Sequence, residues 1–213
     1  ITDKVKIDDI GDFPVILLRE GRLTPLGSFL KRSLDLVITV PVMFLLSPLI
    51  LFLGALIKLD SPGPVIFSHD RVGKDGRIFR LHKFRTMRVD VDPYAVAPND
   101  QNDPRITRFG GFLRRTSLDE LPQLWNVIRG EMSLVGPRPI VTDEIVKYGP
   151  YYGLYTMVKP GITGLWQVSG RNDTTYDERV QLDAYYVRNW SPWVDVVLLL
   201  KTIPIALFAR GAY

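Results

Sequence analysis

The stretch from Leu36 to Ile57 carries no charged residue, and as a straight helix it would reach about 33 Å. That length crosses the hydrocarbon core of a bilayer. Lys31 and Arg32 precede it and Lys58 follows it, so basic residues stand at both ends and the asymmetry that orients a spanning helix is missing. Both ends are compatible with one side of a membrane. Ser47 and Pro48 interrupt the middle. Proline there removes one backbone hydrogen bond and clashes with the preceding turn, while the serine hydroxyl is placed to rebind the freed carbonyl. A bend is expected. If it is sharp, each arm of roughly 15 to 18 Å reaches about halfway through the membrane and returns, as a re-entrant hairpin. Hydropathy alone ranks a kinked spanning helix first, the hairpin second and a buried core helix third.

A chain of 213 residues, 46% of them hydrophobic, supports one domain with a core plus attachments. It begins at Ile1 with no leader pattern and reads as part of a longer chain. The absence of cysteine removes disulfides, thiolate nucleophiles and sulfur-bound metals. A net charge of +4 suits an anionic membrane surface, nucleic acid or a polyphosphate substrate without choosing among them.

Val65 to Phe84 reads as two short strands around Gly73-Lys74-Asp75-Gly76, with Arg71, Arg77, Arg80, Lys83 and Arg85 making the pair basic. Tyr94 to Asp103 reads as a loop. Ile106, Phe109 and Leu113 recur at helical spacing and place Arg108, Arg114 and Arg115 on the other faces. Tyr176 to Asn189 reads as a helix. Ser191 and Pro192 then supply a cap and an N1 proline for a second helix from Trp193 to about Phe208, either interfacial or packed in the core.

Ser117-Leu118-Asp119-Glu120 has the spacing of a capping box, in which serine and glutamate each bond the other's backbone amide. A cap and a site are compatible, because acidic groups and phosphates both favour the positive end of a helix. Adjacent helical residues point about 100° apart, so Asp119 and Glu120 converge only where a helix start loosens, and Pro122 favours that. Hard carboxylate ligands with few companions suit Mg²⁺. Gly136-Pro137-Arg138-Pro139 holds one arginine between two prolines, either as a stiff phosphate fork or as a rigid turn. Pro160 to Gly164 and Gly170-Arg171-Asn172 are glycine-bearing turns whose amides suit phosphates or plain connections. Asp90-Val91-Asp92 has the Asp-x-Asp spacing of metal-dependent glycosyltransferases and otherwise reads as a solvated loop. His69 and His82 are too few for a histidine metal site.

Taken in order, Lys31-Arg32-Ser33-Leu34-Asp35, the Ser47-Pro48 break, Lys83-Phe84-Arg85-Thr86-Met87, Ser117 to Gln123, Gly130 to Pro139, Pro160 to Gly164 and Gly170-Arg171-Asn172 resemble the monotopic phosphoglycosyl transferases. The likeness runs from about Lys31 to the C-terminus, and within the family it is closest to the undecaprenyl-phosphate galactose phosphotransferases. It implies an α+β, mainly helical fold: a re-entrant membrane helix over 31–58, a cytosolic catalytic domain over 59–213, a small β-hairpin and interfacial amphipathic helices. Residues 1–30 would connect to an upstream region. The resemblance places the nucleophile at Asp119 and Mg²⁺ at Glu120 against Asp119. Arg114 and Arg138 fall in the phosphate-binding region, and Lys83, Arg171 and Asp195 match polar positions of the same site. Implied partners are a UDP-sugar, undecaprenyl phosphate, a bacterial inner membrane on its cytoplasmic face and a second copy of the chain; nucleic acid is not among them. Two rivals stay in view: a metal-dependent glycosyltransferase centred on Asp90 and Asp92, and a non-catalytic scaffold that binds nucleotide sugar.

Overall fold

The computed structural model describes residues 5–10, 13–18, 24–89, 103–170 and 174–208. Strands β1 (Val5–Ile10) and β2 (Phe13–Leu18) pair antiparallel at the start. Helix α1 then runs from Pro25 to Asp60. It starts ahead of Lys31 because Thr24 and Pro25 are themselves start signals: the Thr24 Oγ1 accepts from the Gly27 amide at 3.0 Å, and Pro25 sits where no amide is needed. Pro41 and Pro48 both lie inside the helix. Pro48 leaves the Phe44 carbonyl without its amide, and the Ser47 hydroxyl donates to that carbonyl at 2.7 Å, as the sequence suggested.

One face of α1 is packed along its length. Lys31, Asp35, Thr39, Leu53 and Ile57 are buried, and Ile38, Val42, Leu46 and Ile50 rest on the neighbouring clusters. These positions recur at helical spacing. The other face shows Val37, Phe44, Leu45 and Leu51 to the surroundings, Phe44 with 83% of its surface open. A continuous apolar face of this kind is unsuited to water. It marks α1, the one helix among the described residues long and apolar enough to cross a membrane, as membrane-associated.

Strands β3 (Ile66–Val72) and β4 (Ile78–Phe84) form the expected antiparallel hairpin. Asp75 and Gly76 turn it with φ of 57° and 72°, the left-handed region that glycine enters without steric cost. Helix α2 (Arg108–Arg115) follows at the place its apolar spacing indicated, and α3 (Gln123–Arg129) comes next. Strand β5 (Ser133–Val135) pairs in parallel with β6 (Gly161–Thr163) across the short helices α4 (Ile145–Tyr148) and α5 (Tyr152–Thr156). The short α6 (Leu165–Val168) precedes α7 (Tyr176–Arg188) and α8 (Pro192–Phe208). The fold is mainly helical with small two-stranded sheets. Most of the expected loop at 94–103, and Asp90 and Asp92 with it, lies outside the described residues.

The last two helices match their sequence signals. The Thr175 Oγ1 accepts from the Glu178 amide at 3.2 Å while Glu178 accepts from the Thr175 amide at 2.7 Å, a complete capping box on α7. The Ser191 Oγ accepts from the Val194 amide at the start of α8. Helix α8 divides its apolar residues: Leu198 is buried, while Trp193, Leu200 and Ile203 are exposed.

Candidate active site

The run Lys83 to Thr86 builds one wall of the site, each side chain with a separate task. On the hairpin, alternation puts Phe79, Leu81 and Lys83 on one face of β4, and the register sets Arg71 of β3 opposite Phe79 on that face. Phe79 and Leu81 enter the core, which leaves Arg71 and Lys83 at its border. Phe84 joins Leu53, Ile57 and Leu113 in a second cluster. The Arg85 guanidinium donates to the Ser61 and Pro62 carbonyls just past the end of α1. The Thr86 hydroxyl accepts from Arg114 Nε at 2.9 Å. Helix α2 sits close enough for this because residue 110 is glycine; a Cβ there would overlap the Thr86 backbone.

The acidic pair lies opposite. Ser117 is left-handed, φ 55° and ψ 16°, and its side chain makes no cap bond, so the capping box expected at Ser117 to Glu120 is not formed. Glu120 is drawn instead to Lys83, whose ammonium donates to its Oε1 at 2.8 Å. A charged partner outcompetes a neutral backbone amide. Left-handed backbone at a non-glycine residue costs about 1 to 2 kcal/mol, and strain of this sort gathers at functional sites. Its effect here is geometric. With Ser117 so turned and Leu118–Glu120 wound as a tight 3₁₀ turn, both carboxylates face one cation: Lys83 Nζ is also 3.5 Å from Asp119 Oδ2.

Asp119 retains only 8% of its surface exposure. Burial pushes its carboxyl up, Lys83 pulls it down, the Glu120 charge raises it again and Arg114 lowers it. Arg138 reaches the pair from the other side, its Nη1 4.0 Å from Glu120 Oε1. Beyond Glu120 opens a cleft of about 180 Å³, walled by Arg71, Lys83, Arg138, Arg179, Glu144 and Gly161 among others.

Lys83, Asp119, Glu120, Arg114 and Arg138 are therefore brought together. Of the two readings open for the turn at Pro160 to Gly164, these bonds fit the connecting one: the Gly161 amide donates to the Pro137 carbonyl and the Gly136 amide to the Thr163 carbonyl, both at 2.8 Å. Those amides hold the two loops to each other and leave none for a phosphate at these positions. Asp195 is placed elsewhere. It is 1% exposed and accepts from Lys31 at 2.7 Å, Tyr186 at 2.7 Å and Trp190 at 3.0 Å. Arg171 and Asn172 lie outside the described residues. Arg71 and Arg179 also line the cleft, and no local motif marks either for the site; Arg71 stands out in the sequence only as one of several basic hairpin residues.

A cation-rich cleft thus lies beside the buried Asp119 and the half-buried Glu120, in a chain whose long apolar helix marks it as membrane-associated. The bacterial sugar transferase family matches residues 26–209, and the chain belongs to it. It is 51% identical over 87% of its length to a UDP-galactose-lipid carrier transferase of Erwinia amylovora, of which it covers 42%. It is 47% identical over 93% of its length to the undecaprenyl-phosphate galactose phosphotransferase of Salmonella typhimurium, covering 45% of that protein. With the UDP-glucose:undecaprenyl-phosphate glucose-1-phosphate transferase of Escherichia coli it shares 40% identity over 98% of its length and 47% of the relative's. The chain thus spans less than half the length of these relatives.

Proposed function

We propose that the chain transfers a hexose-1-phosphate, with galactose as the sugar, from a UDP-sugar to undecaprenyl phosphate. The product would open assembly of a bacterial surface or exported polysaccharide. The observation that carries this reading is the convergence of Asp119 and Glu120 on a single cation at the mouth of the cationic cleft. A galactose donor is favoured because the two relatives named for galactose are more similar to this chain than the one named for glucose.

In the reaction proposed, an Asp119 carboxylate oxygen attacks the β-phosphorus of the UDP-sugar. The bond from that phosphorus to the bridging oxygen breaks, and its electron pair leaves on UMP. A phosphate oxygen of the lipid then attacks the same phosphorus and returns the carboxylate. Lys83, Arg114 and Arg138 hold the phosphate oxygens and offset the charge that gathers on them. Asp119 and Glu120 fit Mg²⁺, whose remaining positions substrate phosphates and water would fill. Bound there, the ion would neutralise the diphosphate.

The reading also takes α1 as a re-entrant hairpin bent at Ser47 and Pro48, with the catalytic domain on the cytoplasmic face of the inner membrane. Cysteines placed one at a time in α1 near Lys31 and Lys58 should both react with a membrane-impermeant thiol reagent only from the cytoplasmic side. Labelling from opposite sides would establish a spanning helix. For the chemistry, incubation with UDP-galactose, Mg²⁺ and undecaprenyl phosphate should release UMP. Release of UDP would instead support a glycosyltransferase centred on Asp90 and Asp92, and release of neither nucleotide a scaffold.

A further inference from the structure

Arg179, on α7, lines the cleft. Only 8% of its surface is exposed, yet Nε and Nη2 have no hydrogen-bond partner, and Nη1 is 3.6 Å from Glu144 Oε1. Its guanidinium lies over the Trp166 ring at 4.9 Å and the Tyr176 ring at 5.1 Å. Such faces hold the plane of the cation and leave its edge, where the N–H donors are, unfilled. Arg71 likewise has a buried Nε with no hydrogen-bond partner. Buried donors left unpaired are costly, and a fixed set of them facing a cleft indicates a ligand that pairs them.

The charge balance names the ligand's sign. Arg71, Arg138 and Arg179 lie close enough for the other two to depress the Arg71 guanidinium further after burial has lowered it. Glu144 faces them from the adjoining turn. Asp183 lies one helical turn beyond Arg179, but burial pushes its carboxyl up to about 7, and Tyr148 donates to it at 2.7 Å. It therefore offsets Arg179 only in part near neutral pH. The cleft as a whole presents four basic and two acidic side chains. At about 180 Å³ it has room for about six waters, enough for a phosphate group.

We propose that Arg71 and Arg179, with Arg138, form a subsite for a phosphate monoester, used first by the departing nucleotide and then by the lipid phosphate. This rests on the double displacement described above. In-line displacement places the incoming and leaving oxygens on opposite sides of the phosphorus. Asp119 is the incoming group in the first step and the leaving group in the second. UMP and the lipid phosphate therefore occupy the same side, away from Asp119, and both are phosphate monoesters. One set of arginine forks serves either.

The test uses the full chain in detergent carrying Asp119→Asn, so that no adduct forms, and measures binding by calorimetry. UMP, inorganic phosphate and farnesyl phosphate are the probes, with uridine as a control without phosphate. Arg71→Met and Arg179→Met are each expected to weaken UMP and farnesyl phosphate by roughly tenfold to a hundredfold. Uridine binding should not change, and the two phosphates should compete. Loss for one phosphate ligand alone, or unchanged affinity for both, overturns the shared subsite. Arg71 is only partly buried, so Arg71→Met keeps the test readable if Arg179→Met fails to fold. Because no turnover is read, release of UDP in the product assay would overturn the double displacement without altering these affinities.

Discussion

Asp119→Asn is expected to lower turnover by at least roughly 10⁴-fold, the scale on which loss of a nucleophile is felt, while the protein still folds. Asparagine keeps the shape of the side chain and its acceptor oxygen toward Lys83. It also removes a carboxylate whose charge is disfavoured by burial, so the variant should melt no lower than the parent. Turnover of sugar-phosphate transfer and a melting curve on the same preparation check both halves. A loss of activity accompanied by a comparable loss of stability would assign Asp119 a structural task.

Lys31→Met is expected to cost roughly 3 to 5 kcal/mol of stability. Lys31 donates to Asp195 at 2.7 Å, to the Val135 carbonyl at 2.8 Å and to the Tyr186 hydroxyl at 3.1 Å. Without it the Asp195 carboxylate, 1% exposed, stays buried with no cation. The same contacts tie the start of α1 to α7 and α8, supported by Asp35, which accepts from the Ser133 hydroxyl and the Leu134 amide at 2.9 Å. Adding Asp195→Asn to Lys31→Met removes the stranded charge and should recover part of the loss. Thermal melting in detergent measures both. A single variant as stable as the parent would mean that the pair does not hold α1 to the domain.

The features legible in the sequence are local ones. The apolar run, the glycine-rich hairpin turn, the spacing of Ile106, Phe109 and Leu113, and the Ser191-Pro192 start each depend on residues within a few positions of one another. Such signals survive folding unless a tertiary contact overrides them. Ser117 to Glu120 is the case where one did. It has the same spacing as the working box at Thr175 to Glu178, but Lys83, distant in sequence, captures the glutamate and the serine turns left-handed. The arginine subsite was illegible for a related reason. Arg71, Arg138 and Arg179 come from a strand, a proline-bracketed loop and a helix, and only the packing of α7 against the hairpin side of the core brings them to one cleft. The resemblance points Asp195 toward the site, and no local pattern pairs it with its buried partner Lys31, 164 residues away.

The central claim is that Asp119 carries the sugar phosphate. Its most direct test is peptide mass mapping after the chain is incubated with UDP-galactose and Mg²⁺ and without lipid. A gain of one hexose phosphate on the peptide holding Asp119, absent from Asp119→Asn and discharged by undecaprenyl phosphate, is the result predicted. A chain that turns over with lipid but gains no mass without it, or gains it on another residue, would contradict the account.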